Sequence, residues 1–301
     1  MGSSNVEVDH EFLPFIRVYK DGKVERLMYT DEVPTSIDSQ TGVSTKDVTI
    51  NHQTSLSARL FLPNIITTQT HHQKLPLLIY FHGGCFCVGS AFCLAYHQFV
   101  NSLVAEANIV AVSVEYRLAP EHPVPIAFDD SWEAIQWVIS HSKGEGTDPW
   151  LRDHVGFGRV FLCGDSSGAT ISYNMTMRFE EINNLGIDHF KLLGIALIQP
   201  FFWGKERIGV EKIDPEKDVI SERIWPYACP LSTLGNDDHQ PEEDVLRDRG
   251  LHYYERRGES GWDGVKEIME TKGKGHVFHL FNPACEESVE LTKHLAFFLN
   301  K

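Results

Sequence analysis

The sequence predicts an α/β fold with a mostly parallel central sheet and helices on both faces. Three observations support this class: nearly continuous apolar runs resemble strands that are covered on both faces, segments with helical spacing occur between them, and the two kinds alternate. Such alternation is typical of parallel strands joined by right-handed helical crossovers. The length of 301 residues and the hydrophobic content of 42% allow one large domain with additions or two smaller ones, and we expect a single domain over residues 1–301.

The individual elements follow from local patterns. The predicted strands are 75–81, 108–116, 159–164 and 192–202. Apolar residues recur at helical spacing in the segments between and after them, and the predicted helices are 129–141, 167–183 and 283–299. Asp129 or Asp130 is the expected N-cap of the first helix, and Asn282 that of the last.

Two segments do not fit the alternation of strands and helices. Residues 1–50 contain short mixed stretches, and residues 203–240 are charged but include Trp225 and Tyr227. Either segment could cover a pocket as a cap, and a solvated surface excursion agrees equally well with the composition. We expect a cap.

The charge and hydropathy of the chain exclude several classes of partner. Lys and Arg number 27 against 42 Asp and Glu, and a net charge of −15 would repel nucleic acid over most of the surface. The apolar runs are far shorter than the ~20 residues of a membrane span. The first twelve residues lack the pattern of a secretory signal, so we expect a location in the cytosol or nucleus.

The cysteine pattern argues against a metal site. Three cysteines lie within nine residues next to His97, but zinc sites usually combine two spaced pairs and no second pair follows. We expect free and mostly buried thiols, without disulfides, and no metal or cofactor. The six cysteines are Cys85, Cys87, Cys93, Cys163, Cys229 and Cys285.

Ser166 is the candidate nucleophile. It occupies the centre of a GxSxG pattern between a predicted strand and a predicted helix, which is the setting of a nucleophile elbow. Side chains at Gly164 or Gly168 would collide with the crowded backbone of such a turn. The following helix would direct the positive end of its dipole toward the serine.

A second motif supplies candidate donors for an oxyanion hole. The strand 75–81 ends in "HGGC", and glycines after an early strand let the main chain approach a substrate carbonyl. The candidate donors are the N–H groups of Gly83, Gly84 and Ser167. A tight glycine turn would explain this motif alone, but chance is a poor explanation for both motifs in this order.

Among fifteen histidines, His276 is the best candidate for the general base. It follows a short glycine-flanked stretch late in the chain and precedes the last helix, where a serine, acid, histidine order places the base. His279, three residues later, is the competing candidate.

Taken together, these motifs resemble the plant carboxylesterases of the hormone-sensitive-lipase group of α/β-hydrolases. The resemblance runs from about residue 10 onward and is carried by "HGGC", "GDSSGA", "EYRLAPEHPVPIAFDDSW", "EEDVLRDRG" and "GHVFHLFNP". It implies that Ser166 is the nucleophile, His276 the general base and Asp244 the acid that orients His276. It implies the same three oxyanion donors, and a cap formed by the N-terminal segment and the region after residue 202.

The sequence departs from this family at two places. The family loop usually reads HGGGF, and Cys85 in place of the third glycine should narrow the acyl pocket. The acid normally follows a hydrophobic strand, whereas the residues before Asp244 read "DDHQPEED". Either a segment is missing from this chain or the protein lacks the strand, and we favour a missing segment because the family pattern resumes intact at Asp244.

The resemblance leaves three functions open. The first is a serine esterase that acts on small lipophilic esters, as a monomer or homodimer. The second is a lyase on the same scaffold, similar to 2-hydroxyisoflavanone dehydratases or to alkaloid cyclases that have lost the histidine. The third is a binding protein similar to the gibberellin receptor, which also lacks that histidine. The presence of Ser166 and His276 favours the esterase.

Overall fold

The structure is a computed structural model that describes residues 7–64, 74–183, 189–203, 206–209, 212, 244, 246–260 and 264–301. Its strands are β1 (Val8–Phe12), β2 (Ile16–Tyr19), β3 (Val24–Arg26), β4 (Ser44–Asn51), β5 (Leu56–Leu62), β6 (Leu75–Phe81), β7 (Val110–Glu115), β8 (Val155–Asp165) and β9 (Leu192–Ile198). Its helices are α1 (Leu94–Ala107), α2 (Ile126–Ser142), α3 (Pro149–His154), α4 (Ser167–Asn183), α5 (Arg247–Glu259), α6 (Phe278–Phe281) and α7 (Glu286–Leu299).

Six strands form the central sheet in the order β4-β5-β7-β6-β8-β9. The four strands that the sequence predicts, β6, β7, β8 and β9, are paired in parallel, while β4 and β5 add two antiparallel pairings at one edge. The predicted α/β class with a mostly parallel sheet is therefore confirmed. The last predicted strand ends four residues early at Ile198, because Gln199 has a left-handed backbone and Pro200 follows.

Both faces of the sheet are buried, and β6 shows how its sequence achieves this. Leu77, Ile79 and Phe81 belong to the core that α2 and α4 cover, whereas Leu78 and Tyr80 belong to the core under α1 and α7. Successive side chains of a strand point to opposite faces, so a strand between two helical layers must be apolar at nearly every position.

All three predicted helices are formed, but two of them start at residues other than those predicted. Residues 167–183 are α4, as predicted. Helix α2 begins at Ile126 with Pro125 at its N-cap, so the N-cap prediction at Asp129 or Asp130 is wrong. The predicted helix 283–299 forms only from Glu286, with Cys285 rather than Asn282 at the N-cap. Helices α1, α3, α5 and α6 are not among the predicted elements.

The N-terminal region only partly matches its predicted extent. Strands β1, β2 and β3 form a separate antiparallel sheet, but β4 is part of the central sheet, so the predicted cap boundary at residue 50 is wrong for residues 44–50. Arg26 ties the small sheet to the rest of the protein through Nε, which donates to the Cys87 carbonyl at 2.9 Å. Most of the second predicted cap segment, 203–240, including Trp225 and Tyr227, lies outside the described residues.

Three further features bear on the class of protein. Five cysteines are free, four of them buried, as predicted, and Cys229 lies outside the described residues. No cluster of three His, Cys, Asp or Glu side chains suited to a metal ion occurs in the described ranges. Within those same ranges, none of the helices has the length and apolar character to cross a bilayer.

Candidate active site

Ser166 lies on a sharp turn between β8 and α4. Its backbone is left-handed, with φ of +51°, which is uncommon outside glycine and fits a nucleophile elbow. The turn is held from both sides, because the Ser166 N–H donates to the Ile198 carbonyl at 2.9 Å and the Ser166 carbonyl accepts from the Phe201 N–H at 3.0 Å. The serine is thus fixed at the carboxyl edge of the sheet, where α4 begins.

The glycines of the elbow are required by the close approach of main chains. A Cβ at Gly164 would lie 2.4 Å from the Gly168 carbonyl group, and a Cβ at Gly168 would lie 2.0 Å from the Phe81 carbonyl oxygen. Both distances are far shorter than real contacts, and the colliding atoms are backbone atoms that no rotamer change can move. The collision predicted from the sequence is confirmed.

The loop after β6 lies against the elbow and is anchored at several points. The Tyr116 hydroxyl donates to the His82 carbonyl at 2.7 Å, and the Phe86 N–H donates to Ser167 Oγ at 3.3 Å. Gly84 has φ of +100°, and its carbonyl accepts hydrogen bonds from two N–H groups later in the loop. A Cβ at Gly84 would lie 2.1 Å from the Val88 carbonyl oxygen, so the loop needs glycine there.

The predicted oxyanion donors have to be revised. The Gly83 N–H donates to Asp165 Oδ1 at 3.0 Å and to the Tyr96 hydroxyl at 2.9 Å, so it is not available to a substrate and the prediction for Gly83 is wrong. Within the described part of the chain, the N–H groups of Gly84, Cys85 and Ser167 donate no hydrogen bond. The N–H groups without an acceptor in the described residues thus extend one residue further along the loop than predicted, to Cys85.

Asp165, the residue before Ser166, explains why the Gly83 N–H is not available. The carboxyl is fully buried and accepts hydrogen bonds from the Tyr80 hydroxyl at 2.6 Å, the Tyr96 hydroxyl at 3.0 Å and the Gly83 N–H. Burial raises the pKa of Asp165, while the two tyrosine hydroxyls and the nearby His276 act in the opposite direction. Asp165 therefore fixes the loop relative to the elbow.

The structure brings His276 and Asp244 together. His276 Nδ1 lies 2.9 Å from Asp244 Oδ1, so the carboxylate accepts a hydrogen bond from the ring when Nδ1 carries the proton. This leaves Nε2 as the basic nitrogen, as the serine, histidine, acid mechanism requires. The Asp244 side chain is 8% exposed, so the carboxylate is shielded from water, whereas the His276 side chain is 25% exposed.

Asp244 is held by hydrogen bonds to the main chain that follows it. Its Oδ1 also accepts from the Leu246 N–H at 3.1 Å, and its carbonyl accepts from the Arg247 N–H at 3.1 Å. Asp244 thus belongs to the turn that leads into α5. The residues immediately before it, where the sequence analysis finds no strand, lie outside the described residues.

No hydrogen bond joins Ser166 Oγ to His276 or to any other residue in the described ranges. The two segments are nevertheless joined, since the Gln199 side chain bonds to the main chain on both sides of His276 and the preceding Ile198 carbonyl accepts from the Ser166 N–H. Catalytic hydrogen bonds are often long without substrate and shorten in the reacting complex. The competing candidate, His279, is 1% exposed, and burial lowers its pKa to about 3, so it is a neutral core residue packed against Phe99.

Sequence reasoning missed the residues that support the site. Three buried tyrosines, Tyr80, Tyr96 and Tyr116, hold Asp165 and the loop after β6 through their hydroxyls. In the sequence, Tyr80 and Tyr116 are only part of apolar runs, and Tyr96 belongs to no predicted element. A hydroxyl at the end of a buried strand signals an unpaired polar group that needs a partner. Tyr80, at the penultimate position of β6, carries that signal and could have been identified.

The comparisons with known proteins agree with this geometry. Residues 78–230, about half of the chain, match the family described as "alpha/beta hydrolase fold". A solved structure of a hyperthermophilic esterase from the archaeon Pyrobaculum calidifontis has a TM-score of 0.62 at 26% identity, covering 85% of this chain and 84% of that one.

Two plant relatives match over nearly their whole length. "Probable carboxylesterase 2" of Arabidopsis thaliana is 40% identical and covers 100% of this chain and 99% of its own length. "2-hydroxyisoflavanone dehydratase" of Glycine max is 38% identical, with coverages of 97% and 99%. The first alignment has 324 positions against 301 residues here, so at least 23 residues of that relative have no counterpart in this chain.

These matches agree with the geometry of the site, which combines the Ser166 turn, the loop after β6 and the His276–Asp244 pair. The chain is an α/β-hydrolase and belongs to the plant carboxylesterase family.

Proposed function

We propose that this protein is a serine carboxylesterase that cleaves small lipophilic carboxylic esters through an acyl-enzyme, in plant specialised or xenobiotic metabolism. The observation that supports this most is the hydrogen bond between His276 and Asp244 at the carboxyl edge of the sheet, close to the strained elbow of Ser166. A lyase or receptor that has lost its histidine would not need this pair.

In the proposed mechanism, His276 Nε2 accepts the proton of Ser166 as Oγ attacks the ester carbonyl. His276 then gives that proton to the leaving alcohol, and Asp244 stabilises the imidazolium between these steps. A water molecule, deprotonated by His276, attacks the acyl-enzyme and releases the carboxylic acid. Ser166 recovers its proton in that last step.

The negative oxygen of each tetrahedral intermediate would be held by the N–H groups of Gly84, Cys85 and Ser167. Support comes from their lack of acceptors in the described ranges and from the position of Ser167 at the start of α4, whose dipole favours negative charge. One such donor typically contributes about 10²- to 10³-fold to the rate.

The test is hydrolysis of p-nitrophenyl acetate, butyrate and octanoate by the protein and by Ser166→Ala. We expect turnover to fall by about 10⁴-fold or more in the variant. Ser102→Ala, at an exposed serine of α1, is the matched control and should retain full activity. Near-normal turnover by Ser166→Ala would refute the assignment, and the series of acyl lengths would define the substrate class.

A second candidate function is elimination of water from a 2-hydroxyisoflavanone. It is supported by the Glycine max relative of that name, which covers nearly the whole chain. Incubation with a 2-hydroxyisoflavanone would test this function. A dehydrated product that forms faster than in the absence of protein would support it, and its absence together with ester turnover would leave hydrolysis as the function.

We infer a location in the cytosol or nucleus and a monomeric or homodimeric state. Five free cysteines agree with a reducing compartment. Microscopy of a fluorescent fusion would test the location, and light scattering during size-exclusion chromatography would test the oligomeric state. Labelling of mitochondria, plastids or the secretory pathway would refute the first inference, and a larger assembly would refute the second.

A further inference from the structure

We propose that Gln199 is a positioning residue for His276, an inference that rests on the proposed esterase function. Its side-chain amide holds the main chain on both sides of the histidine. Oε1 accepts from the Val277 N–H at 2.6 Å, and Nε2 donates to the Gly275 carbonyl at 3.2 Å. Both polar atoms of the Gln199 amide therefore bond to the main chain of the two residues that flank His276.

Gln199 is also joined to the nucleophile elbow. It follows Ile198, whose carbonyl accepts the hydrogen bond of the Ser166 N–H, and Phe201, two residues later, donates to the Ser166 carbonyl. One short segment after β9 therefore contacts the main chain at the nucleophile and, through a single side chain, the main chain at the base. No other described side chain donates a hydrogen bond to Gly275 O or accepts one from Val277 N.

The backbone at both ends of this connection is strained. Gln199 has φ of +43° and Val277 has φ of +47°, a region that a β-branched residue rarely occupies. Such conformations persist where surrounding contacts fix them, and they concentrate at functional sites. The amide of Gln199 supplies one such contact at Val277, directly after the histidine.

Gln199 and Asp244 would therefore perform different tasks. Asp244 binds the ring through Nδ1 and sets its tautomer and rotation. Gln199 does not touch the ring and instead sets the position of the main chain from which the ring projects. Without Gln199 the ring could keep its bond to Asp244 while Nε2 moves away from Ser166, and a displacement of about 1 Å can lower a rate by about 100-fold.

The test compares Gln199→Leu, which removes both hydrogen bonds at similar size, with Gln199→Glu, which keeps an acceptor for Val277 but cannot donate to Gly275 when ionised. We expect kcat for p-nitrophenyl butyrate to fall by about 10- to 100-fold in Gln199→Leu and less in Gln199→Glu, with KM within about twofold. The rate at which a fluorophosphonate modifies Ser166 should fall by the same factor as kcat.

The control is Asn300→Leu, at an exposed residue whose amide nitrogen donates two hydrogen bonds to the main chain, at the Ala107 and Ala296 carbonyls. It should lower the melting temperature without changing kcat. A Gln199→Leu protein with kcat within twofold of normal would overturn the proposal. If Gln199→Leu does not fold, Gln199→Glu becomes the deciding variant. An unchanged kcat in Gln199→Glu would then overturn the proposal. An unmodified protein that neither turns over esters nor reacts with the fluorophosphonate would overturn the proposed function itself.

Discussion

Gly168 shows how strictly the active-site turn constrains individual residues. A methyl group there would lie 2.0 Å from the Phe81 carbonyl oxygen and 2.6 Å from that of His82, both backbone atoms of the β6 end. We expect Gly168→Ala to lower the free energy of unfolding by about 3 kcal/mol or more, because β6 and α4 would have to separate, and to abolish ester turnover.

The matched control for Gly168 is Gly158→Ala in β8. No atom lies within 4 Å of a Cβ at Gly158, and its φ is not left-handed. This variant should have normal turnover and a melting temperature within a few degrees of normal. Thermal unfolding and p-nitrophenyl butyrate hydrolysis measure both effects. Equal stability of the two variants would show that the elbow relaxes more easily than its geometry indicates.

For single residues, the sequence predicted correctly which side chains lie together. It did not predict which backbone N–H groups are already hydrogen-bonded. The His276–Asp244 pair that it predicts is formed, and the glycine requirement at Gly168 is confirmed. The error at Gly83 has a physical cause. Only the folded loop shows that the Asp165 carboxyl reaches the Gly83 N–H, because Asp165 and Gly83 belong to different strand ends.

At the scale of elements, the docking of α2 depends on one buried ion pair. The Asp130 carboxylate is 1% exposed and accepts hydrogen bonds from Arg117 through Nε at 2.9 Å, Nη2 at 2.7 Å and the backbone N–H at 3.0 Å. Asp130→Asn leaves the Arg117 guanidinium without its countercharge, and we expect a loss of about 2–4 kcal/mol in the free energy of unfolding.

The neighbouring residue provides the control. Asp129 is 60% exposed and pairs with Arg178 at the surface, so Asp129→Asn should change stability by less than about 1 kcal/mol. Urea unfolding of both variants measures the difference. If Asp129→Asn cost as much as Asp130→Asn, the stabilisation would come from net charge on α2 rather than from the buried pair.

Three of the elements that the sequence missed, α1, α5 and β4, have a weak apolar pattern. The buried face of α1 includes His97 and Asn101, which interrupt its apolar spacing. Helix α5 buries only Arg249 among its thirteen residues, so no apolar stripe marks it. Strand β4 is an edge strand of the described sheet with polar residues at several positions. The apolar strands were predicted because burial on both faces leaves no position for polar residues.

For the whole molecule, buried titratable groups predict how stability depends on pH. Burial lowers the pKa of His82 from 6.5 to about 4, so the unfolded chain binds a proton below pH 6.5 that the folded protein does not, and stability falls as the pH decreases. His279 acts in the same direction. Glu115 acts in the opposite direction, since burial raises its pKa from 4.5 to about 7.

The Glu115 effect can be isolated by substitution. Between pH 4.5 and about 7 the folded carboxyl keeps a proton that the unfolded one has lost, so its contribution to stability decreases as the pH rises. Glu115→Gln should therefore become more stable relative to the unmodified protein from pH 5 to pH 8, by up to about 3 kcal/mol.

Thermal unfolding at several pH values measures this change. Exposed Glu106 offers the control, and Glu106→Gln should differ from the unmodified protein by the same small amount at every pH. A Glu115→Gln difference that does not vary with pH would contradict the prediction.

The path of the chain through the fold has a consequence for the timing of activity in the cell. The proposed nucleophile, acid and base come from three distant segments. The proposed base, His276, precedes α7, whose Leu291 and Leu295 lie in the same core as Leu103 of α1. Helix α7 is synthesised after every other described element. A ribosome-bound chain can thus build most of the sheet before α7 packs behind His276, so under the proposed function the protein would be unable to cleave cellular esters until α7 has left the ribosome.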